Sequence, residues 1–131
     1  MTVQLNHTIV WCRDQQRSAT FFTEIFGRPS ARRFAHFLVV DLDNGVSLDF
    51  YDDGEGEVAS QHYAFLVGDD EFTQIFARIR ERGLEYWADP ARTQPGKINH
   101  HDGGRGVYFK DPDGHLLEIL TRPYGSGSSG R

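Results

Sequence analysis

The chain has 131 residues, 38% of them apolar and 25% charged, the make-up of one compact globular domain and not of a disordered or fibrous chain. Fourteen basic against nineteen acidic side chains leave a formal net charge of -5, which repels phosphate backbones and argues against nucleic acid as a partner. Cys12 stands alone, so no internal disulfide can form, and a reducing, cytoplasmic setting is expected.

The first ten residues hold no basic segment followed by an apolar run, so no secretion signal is expected, and no stretch has the length of a membrane span. Val3, Leu5, His7 and Ile9 alternate with Gln4, Asn6 and Thr8, the period of a half-buried strand with His7 on the face of Leu5 and Ile9. A helix should follow, capped by Asp14, carrying Ala19, Phe22, Ile25 and Phe26 at helical spacing and stopped by Gly27 and Pro29. Strands are expected near residues 31–34, Phe37–Asp41 and 46–51, with Asn44-Gly45 as a tight turn. Arg28, Arg32 and Arg33 form too small a basic patch for nucleic acid and read as solvated charges.

The second half runs through the same order. A strand at 62–67 precedes a helix from about Asp70 with the stripe Phe72, Ile75, Phe76 and Ile79, ending at Gly83; strands near 84–88, Gly106–Lys110 and 116–121 complete it. His62 follows His7 by 55 residues and Gly83 follows Gly27 by 56, so the chain repeats a strand-helix-strand-strand-strand module. Gly45-Val-Ser-Leu-Asp49-Phe matches Gly114-His-Leu-Leu-Glu118-Ile at a separation of 69, which leaves the second module about 14 extra residues, placed at 89–104. A loop of that length with Pro90, Pro95, Gly96, Gly103 and Gly104 is a candidate substrate cover. The modules are expected at 3–57 and 58–122 of a single domain, 1–124, followed by a mobile Gly/Ser tail at 125–131.

In each module a histidine opens the first strand and a carboxylate sits in the last, so a pseudo-twofold arrangement would gather His7, Asp49, His62 and Glu118. Two imidazoles with one or two carboxylates suit Fe(II), Mn(II), Co(II), Ni(II) or Zn(II) and leave positions for water or substrate. Any one strand histidine is more often a hydrogen-bonded residue than a ligand. The repeat changes that balance, as does Glu118 among Leu116, Leu117, Ile119 and Leu120, where an inward carboxylate needs a partner. Cys12 reads as a packed thiol, and Trp11, Trp87 and the ten phenylalanines as core by default.

Asn6-His7-Thr8-Ile9-Val10 with the helix after Asp14, and Gly106-Val-Tyr-Phe-Lys-Asp-Pro-Asp-Gly-His-Leu-Leu-Glu118-Ile, resemble the vicinal oxygen chelate superfamily. That group holds glyoxalase I, the bleomycin- and fosfomycin-resistance proteins and the extradiol dioxygenases. The likeness covers residues 3 to 122 and implies an α+β fold of two tandem βαβββ modules whose mixed sheet curves around a metal cavity. It implies His7, His62 and Glu118 as metal ligands and places Asp49 where a fourth ligand or outer residue stands. Tyr108 falls where the dioxygenases place a substrate-binding tyrosine, and His100 near a loop histidine, both candidates for catalysis.

The resemblance implies an enzyme that holds adjacent oxygens of a small-molecule substrate on one divalent metal ion, by glyoxalase-like lyase or isomerase chemistry or by dioxygenation. A bleomycin-resistance type of binding protein is the alternative, though such a protein has no need of His7, His62 and Glu118. The family habit of pairing subunits implies a homodimer.

Overall fold

A computed structural model describes residues 2–52, 54 and 56–127. The chain divides into two compact units, Met1–Ala59 and Ser60–Arg131. The first contains β1 (His7–Trp11), α1 (Gln15–Phe26), β2 (Arg32–Phe34), β3 (Phe37–Asp41) and β4 (Ser47–Tyr51). The second contains β5 (His62–Leu66), α2 (Asp69–Glu81), β6 (Tyr86–Trp87), β7 (Gly106–Lys110) and β8 (Leu116–Leu120). The fold is α+β, two βαβββ units in tandem, each with its own four-stranded mixed sheet, in the orders β1-β4-β3-β2 and β5-β8-β7-β6.

Local chemistry explains the elements. Asp14 caps α1 by accepting the Arg17 N–H, and Ala19, Phe22 and Ile25 are buried from its inner face. Gly27, at φ 66°, ends the helix in the left-handed region and donates to the Thr23 carbonyl. In α2 no side chain caps Gly68; Asp69, Asp70 and Glu71 crowd the first turn and Arg78 and Arg80 the last, each charge opposing the adjacent helix-dipole end. Burial of Phe72, Ile75 and Ile79 holds α2 down, at roughly 1.5–3 kcal/mol for each such side chain. No helix among the described residues is long and apolar enough to cross a membrane.

The two sheets repeat in register. β1 pairs with β4 in parallel, setting His7 opposite Ser47 and Ile9 opposite Asp49. β5 pairs with β8 in parallel, setting His62 opposite Leu116 and Ala64 opposite Glu118. In both units the carboxylate therefore shares a sheet face with the histidine and faces the residue two positions beyond it.

Two expectations need correction. Val3 and Leu5 do not continue β1 and lie exposed, because β4 begins at Ser47 and the ladder upstream of His7 reaches only the Ser47 N–H to Asn6 carbonyl bond. Trp11 is 44% and Phe34 63% exposed, so these two aromatics leave the core, whereas Trp87 is buried. The 89–104 excursion is braced by its own bonds: Asp89 accepts from the Thr93 N–H and hydroxyl and the Gln94 N–H, and Asn99 bridges to Gly106 and donates to the Ala88 carbonyl. Of the Gly/Ser tract at 125–131, Gly125 and Gly127 donate backbone N–H bonds to Asp102, while 128–131 lie outside the described residues.

Two arginines of the small basic patch have acidic partners, since Arg32 makes a two-point contact with Asp41 at 3.0 and 3.2 Å and Arg28 pairs with Asp43, while Arg33 donates to Gln15 Oε1. The hydrogen bonding from Arg32 holds the Asp41 carboxyl below its ordinary range. Cys12 is buried, its thiol donating to the Tyr51 carbonyl at 3.5 Å.

Candidate metal centre

Glu118 lies in the interior of β8 with 1% of its surface exposed. Its Oε1 stands 3.1 Å from His62 Nε2, and its Oε2 accepts the Tyr124 hydroxyl. The other nitrogen of the ring, His62 Nδ1, lies 2.9 Å from the Leu116 carbonyl. A carbonyl oxygen only accepts, so Nδ1 carries the proton and Nε2 turns its second site, lone pair or proton, toward a carboxylate oxygen. Two lone pairs do not face each other at that distance without a cation between them.

Either a proton or a metal ion satisfies this arrangement, and the donor set fits a metal. Two donors at about 2.1 Å from one ion, subtending close to a right angle, stand about 3 Å apart. A ring whose Nδ1–H is anchored on a backbone carbonyl is also the usual preparation of an imidazole ligand. In the first unit His7 repeats the pattern, with Nδ1 2.7 Å from Asn6 Oδ1, which leaves Nε2 as the donor atom. Asp49, half-buried on β4, accepts the Ser47 hydroxyl at 2.8 Å. Within each unit the described residues gather no third His, Cys, Asp or Glu beside these pairs.

Tyr108 reaches the centre by register, because β7 sets it directly opposite Glu118. Its ring stacks on that of His62 at 5.9 Å and its hydroxyl lies 2.7 Å from that of Tyr124. Since Tyr124 spends its proton on Glu118, Tyr108 donates to Tyr124, and the hydroxyls run in one direction: Tyr108 to Tyr124 to Glu118. Burial raises the Tyr108 phenol above its ordinary pKa, and burial followed by the bond to Glu118 raises Tyr124 further. Both are neutral donors around pH 7.

Neither candidate loop histidine joins this cluster. His100 bonds through Nδ1 to the Gly104 carbonyl of its own loop at 3.2 Å, and His101 opens the 3-10 turn His101–Gly103; both are exposed. Tyr124 is the residue that sequence reasoning missed. It sits in Arg122-Pro123-Tyr124, just before the Gly/Ser tract, and a single aromatic there was the available signal. His115, also buried, takes a structural place: its Nδ1 accepts the Gln61 N–H and its ring meets Tyr63 edge-on.

Comparison with known proteins agrees with this architecture. A family model described as the Glyoxalase/Bleomycin resistance protein/Dioxygenase superfamily matches residues 4–119. The solved structure of Oxidase ChaP-H2 is 58% identical with a TM-score of 0.94, covering 98% of this chain and all of that one. Oxidase ChaP-H1 is 61% identical with a TM-score of 0.92, covering 95% of this chain and 99% of that one. The Glutathione transferase FosA of Serratia marcescens is 32% identical over 127 residues, 91% of this chain and 81% of its own length. With the family model spanning nearly the whole repeat and close relatives that are enzymes, the chain belongs to the Glyoxalase/Bleomycin resistance protein/Dioxygenase superfamily and is one of its enzymes.

Proposed function

We propose that the protein is a divalent-metal-dependent oxidase that takes a small-molecule substrate through two adjacent oxygen atoms. The observation that carries this reading is His62, whose Nδ1–H is committed to the Leu116 carbonyl while Nε2 faces the buried carboxylate of Glu118. The oxidative outcome draws support from two proteins 58% and 61% identical whose names are those of oxidases. His62 and Glu118 would hold the ion, with the repeat-equivalent His7 and, fourth, Asp49 as further donors. Bound there, an ion such as Fe(II) supplies Lewis-acid polarisation of the substrate oxygens and a route for electrons to dioxygen.

The chain's own residues supply the rest. Tyr124 fixes the Glu118 carboxylate, and Tyr108, kept protonated by burial, would turn its hydroxyl from Tyr124 toward a substrate oxygen that gains negative charge. His100 is the proposed proton carrier from the loop, a role that its exposed ring permits.

Metal analysis of the purified protein, followed by oxygen uptake with Fe(II) and a catechol, tests the reading. Stoichiometric metal and substrate-dependent oxygen consumption are expected. Turnover that proceeds equally without oxygen would assign isomerase or lyase chemistry instead. The 32% identity to a glutathione transferase favours a second reading, thiol addition to fosfomycin, which loss of glutathione in the presence of that drug would reveal.

A further inference from the structure

We propose that residues 123–127 are a working part of the metal centre, a strap that Asp102 clasps so that Tyr124 sets the Glu118 carboxylate. The proposal rests on the assignment of Glu118 as a metal ligand and adds two positioning residues, Tyr124 and Asp102, to it.

Three observations point the same way. Asp102 is buried to 7% exposure and adopts φ 58°, a conformation that an L-residue holds at a cost and that aspartate tolerates better than most. Its two carboxylate oxygens accept the N–H groups of Gly125, at 3.1 Å, and Gly127, at 3.0 Å, so one side chain grips both ends of a three-residue turn. Gly127 is pressed so closely on Asp102 that an added Cβ would lie 2.6 Å from the Asp102 Cα.

The clasp has a consequence at Glu118. Tyr124 is 52% exposed, so apolar burial does little to hold it, yet its hydroxyl donates to Glu118 Oε2. With Oε2 engaged, the carboxylate plane is fixed and Oε1 is left beside His62 Nε2. Residues that orient a ligating carboxylate typically change metal affinity by about 10–100-fold when removed. Asp102 acts on Glu118 through Tyr124, as a positioning residue.

Cobalt(II) titration of the metal-free protein, read by the visible absorption of the bound ion, tests this with Tyr124→Phe, Asp102→Ala, Gly127→Ala, the Tyr124→Phe/Asp102→Ala double variant and Glu118→Gln. Tyr124→Phe should weaken binding about 10-fold or more. Asp102→Ala and Gly127→Ala should weaken it comparably, and the double variant should be no weaker than Tyr124→Phe alone, a non-additivity that general loss of stability does not produce. Hydrogen exchange at the Gly125 and Gly127 amides of the metal-free protein should quicken in Asp102→Ala and not in Tyr124→Phe. If Glu118→Gln loses cobalt while Tyr124→Phe and Gly127→Ala bind like the parent, the strap plays no part and the inference falls, with the ligand assignment intact. Parental affinity in Glu118→Gln would overturn the ligand assignment and the inference with it.

Discussion

At Glu118 the chain keeps a carboxylate in the interior of β8 between Leu117 and Ile119, where an ion without a partner would cost several kcal/mol of effective desolvation. Its surroundings answer with the Tyr124 hydroxyl and the His62 ring. Replacing His7, His62 or Glu118 singly by alanine should therefore lower the metal content of purified protein sharply, and three variants with parental content would refute the assignment. Asp111 presents the opposite electrostatic case. Burial raises its carboxyl above the ordinary range, against the lowering pull of His115 and of the backbone N–H groups of His115 and Asp113. A folded-state pKa above the unfolded one means that ionisation is disfavoured in the fold: the penalty is absent below about pH 4 and complete above the folded pKa. Asp111→Asn keeps an oxygen to accept the Asp113 and His115 N–H bonds and removes the ionisation, so its Tm should exceed that of the parent at pH 7, with the difference vanishing near pH 3.

Helix ends and strand registers decide how these residues are presented. Asp14 accepts the Arg17 N–H at the start of α1, so Asp14→Ala should cost about 1 kcal/mol in urea unfolding. Gly27 closes the same helix at φ 66°, where a Cβ is strained, and Gly27→Ala should cost about 1 kcal/mol as well. Neither change should alter metal affinity, since both lie at the ends of α1. On the sheets a one-residue slip would turn every side chain to the opposite face. The Tyr108–Glu118 and Ala64–Glu118 pairings in β7, β8 and β5 are what bring a phenol, a carboxylate and an imidazole to one face of the second sheet.

For the molecule as a whole, the repeat of βαβββ units and the resemblance that accompanies it lead us to propose a homodimer. Sedimentation of the metal-loaded protein at micromolar concentration should give twice the 14.9 kDa chain mass, and a monomer would count against it. The 89–104 excursion belongs to the second unit alone and is braced by Asp89 and Asn99, yet it leaves His100 and His101 exposed. Replacing both histidines by alanine should leave metal affinity intact and reduce turnover about 10²-fold if one of them carries the proton. Loss of metal would make one a ligand, and unchanged turnover would leave them as surface residues.

Amphipathic period, Asp14, the helix-stopping glycines and the Asn44-Gly45 turn were enough to read both modules and the equivalence of His7 with His62 and of Asp49 with Glu118, because these signals are local or recur at a fixed separation. The same local reading extended β1 back to Val3, since alternation does not reveal where the partner strand ends; only the start of β4 at Ser47 sets that limit. It also gave Tyr124 no role at the edge of the Gly/Ser tract, because composition registers the glycines and serines but not that Asp102, more than twenty residues upstream, receives the N–H groups of Gly125 and Gly127. Tertiary structure alone joined Tyr124 to Glu118 and committed His62 Nδ1 to the Leu116 carbonyl, and for one physical reason: a hydrogen bond made by a side chain outside a repeating element, or across strands far apart in the chain, leaves no periodicity behind it.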